Sequence, residues 1–276
     1  MNPHARLPAG PASLVASLFN HRELIAQMAR REVSARYRGS VLGWFWALLT
    51  PVMLLSLYTF VFSVVFEARW GADASAGRSR FAVFAFVGML VHGLLAESMV
   101  RAPSLVLANP SYVKKVVFPL EILPLVALSA SIFHAAAGFG VLALAMLVLD
   151  GALPWTWVFL PLTVLPVLLF ALGLSWFLAS TGVYVRDIAH PIGLLATVLL
   201  FASPVFFPAS AVPMPWRDWL LLNPLSLVIE QTRAVLLQGS PPDAGVLAIQ
   251  LLVGGLVAWL GYFWFQRTRR GFANVV

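Results

Sequence analysis

Apolar residues in this chain come in long runs separated by short polar breaks, without the strict alternation of strands. The runs cover about residues 41–66, 81–100, 120–149, 155–182, 188–207 and 244–265. Each reaches the ~20 residues that a helix needs to cross a bilayer, and two run well past it, which predicts tilt or projection beyond the hydrocarbon. Pro161 and Pro166 predict a kink in the fourth run, and Pro191 and Pro204 bracket the fifth.

Two segments break the pattern. In 22–38, helical periodicity puts Ile25, Ala29, Val33 and Tyr37 on one face, flanked by Leu24 and Met28. Gln27, Arg30, Arg31, Ser34 and Arg38 fall opposite. That is the pattern of a helix lying in the membrane interface. Glu32 and Arg36 intrude on its apolar face at i, i+4 spacing and are expected to pair with each other, read either as an ordinary intrahelical pair at a protein contact or as residues that lock this helix to the bundle or bind an anionic headgroup. In 208–243, Pro213, Pro215, Asn223 and Pro224 punctuate the chain. The apolar run there, 225–237, is too short to cross and carries Glu230 and Arg233. A hairpin re-entering from the outer face is expected, because irregular backbone survives at membrane depth only against protein or a wet cavity.

Six crossings place both ends on one side. Thirteen of the eighteen Lys and Arg residues then fall on that side and five on the other, which makes the termini cytoplasmic. The expected fold is all-α integral membrane. It is a six-transmembrane-helix bundle, a single transmembrane domain over residues 1–276, with an N-terminal amphipathic interfacial helix and an outer-face re-entrant helical hairpin.

Composition agrees. Hydrophobic residues are 61% and charged residues 11%, too oily for a chain that hides its apolar surface from water by folding on itself. The net charge of +7 is explained by arginines in cytoplasmic loops, so no nucleic-acid partner is expected. Residues 1–40 lack an apolar core with a small-residue cleavage site, so no secretory signal is expected. The absence of cysteine excludes disulfide and thiol chemistry.

Chemistry-bearing motifs are scarce. Lys114 and Lys115 follow no glycine-rich loop, so ATP is not bound in the P-loop manner. The five histidines are scattered, which offers no metal site, and the acids form no enzyme-like cluster. His134 is the mid-span ionisable residue, open to two readings: a histidine bonded to a neighbouring helix, or a proton relay. Tryptophans 155, 157, 216, 219, 259 and 264 lie near span ends, as an interfacial belt does. Tyr58, Phe62 and Phe66 recur every four residues on the first span, and Phe81 and Phe84 enter the second from the same side. They are read either as packing or as a ring-lined passage for sugars. Asn109 is placed to cap a short helix starting at Pro110, in a cytoplasmic elbow that includes Lys114 and Lys115. A second elbow carries Arg186 and Asp187.

These pieces, in this order, resemble the membrane subunit of type-2 ABC exporters, closest to the branch that exports O-antigen, capsule and teichoic-acid polysaccharides. The most specific part is Arg31-Glu32, Arg36-Tyr37-Arg38, Ser40, Leu42-Gly43, Trp46 and Pro51. Next come Lys115-Val116, Phe118-Pro119 and Glu121, then Asn223-Pro224, Glu230 and Arg233. The resemblance implies a homodimer with two separate nucleotide-binding subunits, which would bind the ATP and Mg; no cofactor is expected in this chain. It also implies a pore between the two copies in the bacterial inner membrane, with the hairpin near the outer mouth. The elbows around Asn109, Pro110, Lys114, Lys115, Arg186 and Asp187 would seat on the ATPases. Arg30, Arg31, Arg36 and Arg38 would meet the diphosphate of a polyprenyl-linked glycan as a cytoplasmic gate, among membrane lipid. A drug-exporting permease of the same class and an autonomous proton-coupled carrier are the alternative readings.

Overall fold

The computed structural model describes residues 10–61, 77–114 and 118–275, and among these the regular structure is entirely helical. Two helices precede the first long apolar run, α1 (Pro11–Asn20) and α2 (Arg22–Tyr37). The bundle continues with α3 (Trp46–Phe60), α4 (Gly77–Arg101), the short α5 (Pro110–Val113), α6 (Leu123–Asp150) and α7 (Leu160–Tyr184). It ends with α8 (Ala189–Ala202), α9 (Trp216–Leu221), α10 (Pro224–Leu237), α11 (Ala244–Thr268) and α12 (Phe272–Val275).

Among the described residues, five helical stretches are long and apolar enough to cross a membrane: Gly43–Phe60, Arg80–Ser104, Leu120–Asp150, Trp155–Tyr184 and Ala244–Val275. The sequence led us to expect six. Over the expected fifth crossing, 188–207, the structure has α8, whose 14 residues extend about 21 Å against a hydrocarbon core of about 30 Å. The helix stops because Pro204 has no N–H to donate and drives the preceding residue out of helical geometry; Ser203 is extended, with φ −107° and ψ 155°. Pro161 and Pro191 fall in first turns, where a missing N–H costs nothing, whereas Pro166 lies inside α7.

α4 is the most buried of the five, with α3, α6, α7, α8 and α10 around it. The tightest seam joins α7 to α11. A Cβ built on Gly261 would overlap the Gly173 carbonyl, so bare glycine backbone lets the two axes approach. A second close approach seats Pro103, just after α4, against Gly182 near the end of α7. The roots of the two elbows are thereby joined.

The segment between α8 and α11 is held by side chains that satisfy broken backbone. The Asn223 amide donates to Ala202 O (3.1 Å) and Ser203 Oγ (2.8 Å), while its carbonyl oxygen accepts from Leu225 N (3.0 Å) and caps α10. At the other end of α10, Thr156 and Trp157 donate to the carbonyls of Val235 and Leu236. Arg233 is wholly buried. Its guanidinium donates to the carbonyls of Phe84 (3.1 Å), Pro204 (2.6 Å) and Val205 (2.6 Å) and to Glu230 (3.2 Å), and lies 3.4 Å over the Phe84 ring. One side chain thus ties α10 to α4 and to the chain break after α8.

Replacing Arg233 leaves those carbonyls dry. Arg233→Leu should cost about 3 kcal/mol or more of stability, read as a lower melting temperature in detergent. Arg233→Lys should rescue little, because an ammonium lacks the planar fork that reaches several acceptors.

Candidate functional site

α2 meets the bundle through a small apolar contact and a chain of charges. Val33 and Tyr37 are buried with Ala47 and Ala130, and Phe133 packs beside them. Tyr37 lies tilted on Trp44 at 5.4 Å and edge-on to Phe133 and His134. Burial raises the pKa of its hydroxyl; the Arg36 charge pulls it back and Glu97 adds to the rise, so the phenol stays neutral at physiological pH. Arg30, Arg31 and Arg38 all face outward. Among the described residues none of the three joins an ion pair.

The expected Glu32–Arg36 pair does not form. Each residue reaches across to α4: Glu32 bonds Arg101, and Arg36 bonds Glu97 at 2.6 Å. Arg101 also lies 3.8 Å from Glu97. His134 on α6 completes the array, its Nδ1 3.1 Å from Arg36 Nη1 and 3.3 Å from Glu97 Oε2. The intrahelical pairing failed because two acidic and basic residues one turn apart on α4, Glu97 and Arg101, offer matching charges from a buried helix. The missed signal was that second i, i+4 pair at the end of an apolar run, facing the first. His134 therefore bonds to groups of its neighbouring helices.

Beside this array a cavity of about 680 Å³ opens between α2, α3, α4 and α6. Tyr58 lines it, half-buried, along with Arg36, Glu97 and His134. Phe81 and Phe84 lie elsewhere, stacked at 6.4 Å beside Arg233 in a second cavity of about 550 Å³. The first-span tyrosine and the second-span phenylalanines are thus not brought into one ring wall. Phe62 and Phe66 lie outside the described residues.

The first elbow is built much as its residues suggest, with one correction. α5 starts at Pro110, but the Asn109 side chain makes no bond to its N–H groups. It donates backward to Leu105 O at 2.9 Å, so α5 begins on proline geometry alone. Pro110 and Lys114 are exposed and Asn109 partly so; Lys115 lies outside the described residues. The elbow is anchored from behind. Tyr112 stacks on Phe118 at 4.3 Å, and Arg269 reaches from beyond α11 to Phe118 O (2.8 Å) and Glu121 (2.5 Å). In the second elbow, Arg186 and Asp187 form an exposed single turn. Glu230 accepts from Ala209 N and Arg233, which keeps both of these α10 charges engaged.

A family model described as ABC-2 type transporter matches residues 23–237. The chain is 30% identical over 269 residues to the O-antigen export system permease protein RfbA of Myxococcus xanthus, an alignment covering 95% of this chain and 99% of that one. It is 21% identical over 256 residues to an O-antigen export system permease protein RfbA of Klebsiella pneumoniae, covering 92% and 95%. A second Klebsiella pneumoniae protein of that name matches at 21% over 257 residues. With its apolar helices and this end-to-end likeness, the chain is a multi-pass membrane protein that belongs to the ABC-2 type transporter family.

Proposed function

We propose that the chain is the transmembrane subunit of an ATP-driven exporter that moves a lipid-linked, O-antigen-like polysaccharide across the bacterial inner membrane. The observation that carries this reading is the alignment with O-antigen export permeases over nearly the whole of both chains. Two copies form the pore between them, and two nucleotide-binding subunits supply hydrolysis. The sequence has no P-loop of its own.

Both termini face the cytoplasm, and α2 lies along the inner interface. Its exposed arginines suit an anionic surface: Arg30, Arg31 and Arg38 join no carboxylate among the described residues and meet the carrier-lipid diphosphate or neighbouring headgroups. Arg36 has a different role. Bound to Glu97 and His134, it belongs to the ion array that latches α2 onto α4 and α6. Residues 208–243, with α9 and α10, form the outer-side re-entrant region, and α8 with the turn after it makes the fifth of six passages.

The two elbows dock on the ATPases. Their joined roots, Pro103 against Gly182, favour movement as one rigid unit when those subunits close. Since α4 carries the first elbow at one end and Glu97 and Arg101 just before it, a push on the elbow acts directly on the latch.

Deleting the gene should abolish surface polysaccharide while its lipid-linked precursor accumulates inside, and an affinity-tagged chain should co-purify with a nucleotide-binding subunit. Normal surface polysaccharide in the deletion strain defeats the reading. Changing Arg30, Arg31 and Arg38 together to Gln should lower export by about tenfold or more at unchanged protein level. For the latch, Glu32→Arg or Arg101→Glu alone should each lower export by about tenfold. The double reversal rebuilds their contact and should recover part of the loss, although Glu97 remains near position 101. Export no better than in the worse single variant contradicts the pairing.

A further inference from the structure

The cavity between α2, α3, α4 and α6 carries polar groups that the latch does not use. At about 680 Å³ it lies within the usual range of small-ligand sites. Two side-chain atoms on one face of α6, Ser131 Oγ and His134 Nε2, are buried there without a hydrogen-bond partner among the described residues. Ser131 itself is only 2% exposed. Buried polar atoms are nearly always paired, so an unpaired set beside one cavity points to something that pairs with them.

The bonding character of the set follows from its neighbours. The guanidinium of Arg36 can only donate, so when it bonds His134 Nδ1 the neutral ring carries its hydrogen on Nε2. In the other neutral tautomer Nδ1–H donates to Glu97 and Nε2 is left as an acceptor. Nε2 therefore donates or accepts with the tautomer, and Ser131 Oγ, one helical turn away, does both. Such a pair matches an alcohol hydroxyl. The Arg36 and Glu97 charges cancel at 2.6 Å, which leaves little net attraction for a phosphate. Tyr37, Trp46 and Tyr58 bring aromatic surface to the same cavity.

We propose that this cavity is a binding subsite for one uncharged sugar residue, whose hydroxyls bond to His134 Nε2 and Ser131 Oγ and whose ring packs against that aromatic surface. The proposal rests on the export reading above and adds to it a place where the glycan is held beside the α2 latch. Opening the latch separates Arg36 from Glu97 and His134, removes one wall of the subsite and releases the sugar, so binding and movement are coupled through shared residues.

The test places a photoreactive benzoyl-phenylalanine at Leu54 or, separately, at Met89, both of which line the cavity. It uses cells whose surface polysaccharide is lost on deletion and restored by at least one of these variants. After irradiation the purified chain is oxidised with periodate and labelled with a hydrazide, which marks bound carbohydrate. We expect a carbohydrate-bearing adduct at a restoring position, reduced about fivefold or more by Ser131→Ala. That substitution removes an unpaired buried hydroxyl, so it should leave the melting temperature unchanged or raised. An adduct with phospholipid alone, no carbohydrate adduct in exporting cells, or an adduct indifferent to Ser131→Ala overturns the subsite while export stands. Surface polysaccharide that persists on deletion overturns the export reading, and the subsite with it.

Discussion

Hydrocarbon offers no hydrogen bonds, so every backbone group or charge that the helices leave open must find its partner within the protein. The architecture is organised around two places where that demand is severe. One is the break after α8, where Pro204 ends the helix and frees carbonyls at 204 and 205. Arg233 answers it with a fork that bonds both and reaches Phe84 O on α4 as well. The other is the end of α4, where Glu97 and Arg101 would be poorly solvated alone and are matched by Arg36 and Glu32 from α2. Both solutions converge on α4, whose buried position makes it the common reference for the α2 latch and for α10.

The two clusters differ in what they permit. The Arg233 side chain is itself only 1% exposed and four acceptors share its guanidinium, so separating α10 from α4 exposes several groups at once. That arrangement suits a fixed part. At the latch the arginine is exposed instead: the Arg36 side chain is 54% exposed and that of Glu97 23%. Ion pairs so placed are worth less, because water replaces them readily. A contact of that kind can be broken and remade within a transport cycle. Rigid-body motion of α4 with its elbow therefore has a resistant attachment on one side and a yielding one on the other.

Much of this was legible in the sequence. Long apolar runs gave the principal helices, and the two faces of α2 emerged as its angular pattern required, with Val33 and Tyr37 inward and Arg30, Arg31 and Arg38 outward. Local periodicity could not give long-range pairing. Glu32 and Arg36 looked like partners because they lie one turn apart, yet a residue on a helix surface chooses among everything that packs against it. Glu97 and Arg101 won because they come from a buried helix whose charges had more to lose. Asn109 failed as a cap for a related reason, since its amide found the carbonyl of Leu105 behind it. The Ser131 and His134 pair was invisible for a third reason. Unpaired atoms can be recognised only once the surrounding helices are in place.

The central claim is that this chain is a passive conduit whose motion is driven from outside it. The most direct measurement is glycan flux into vesicles reconstituted with the purified chain, with and without its co-purified nucleotide-binding subunit. A fluorescent polyprenyl-diphosphate glycan supplied outside reports the transfer. The account predicts transfer only when the subunit and ATP are both present, and none with the chain alone. Sustained transfer by the chain alone, without nucleotide, contradicts it.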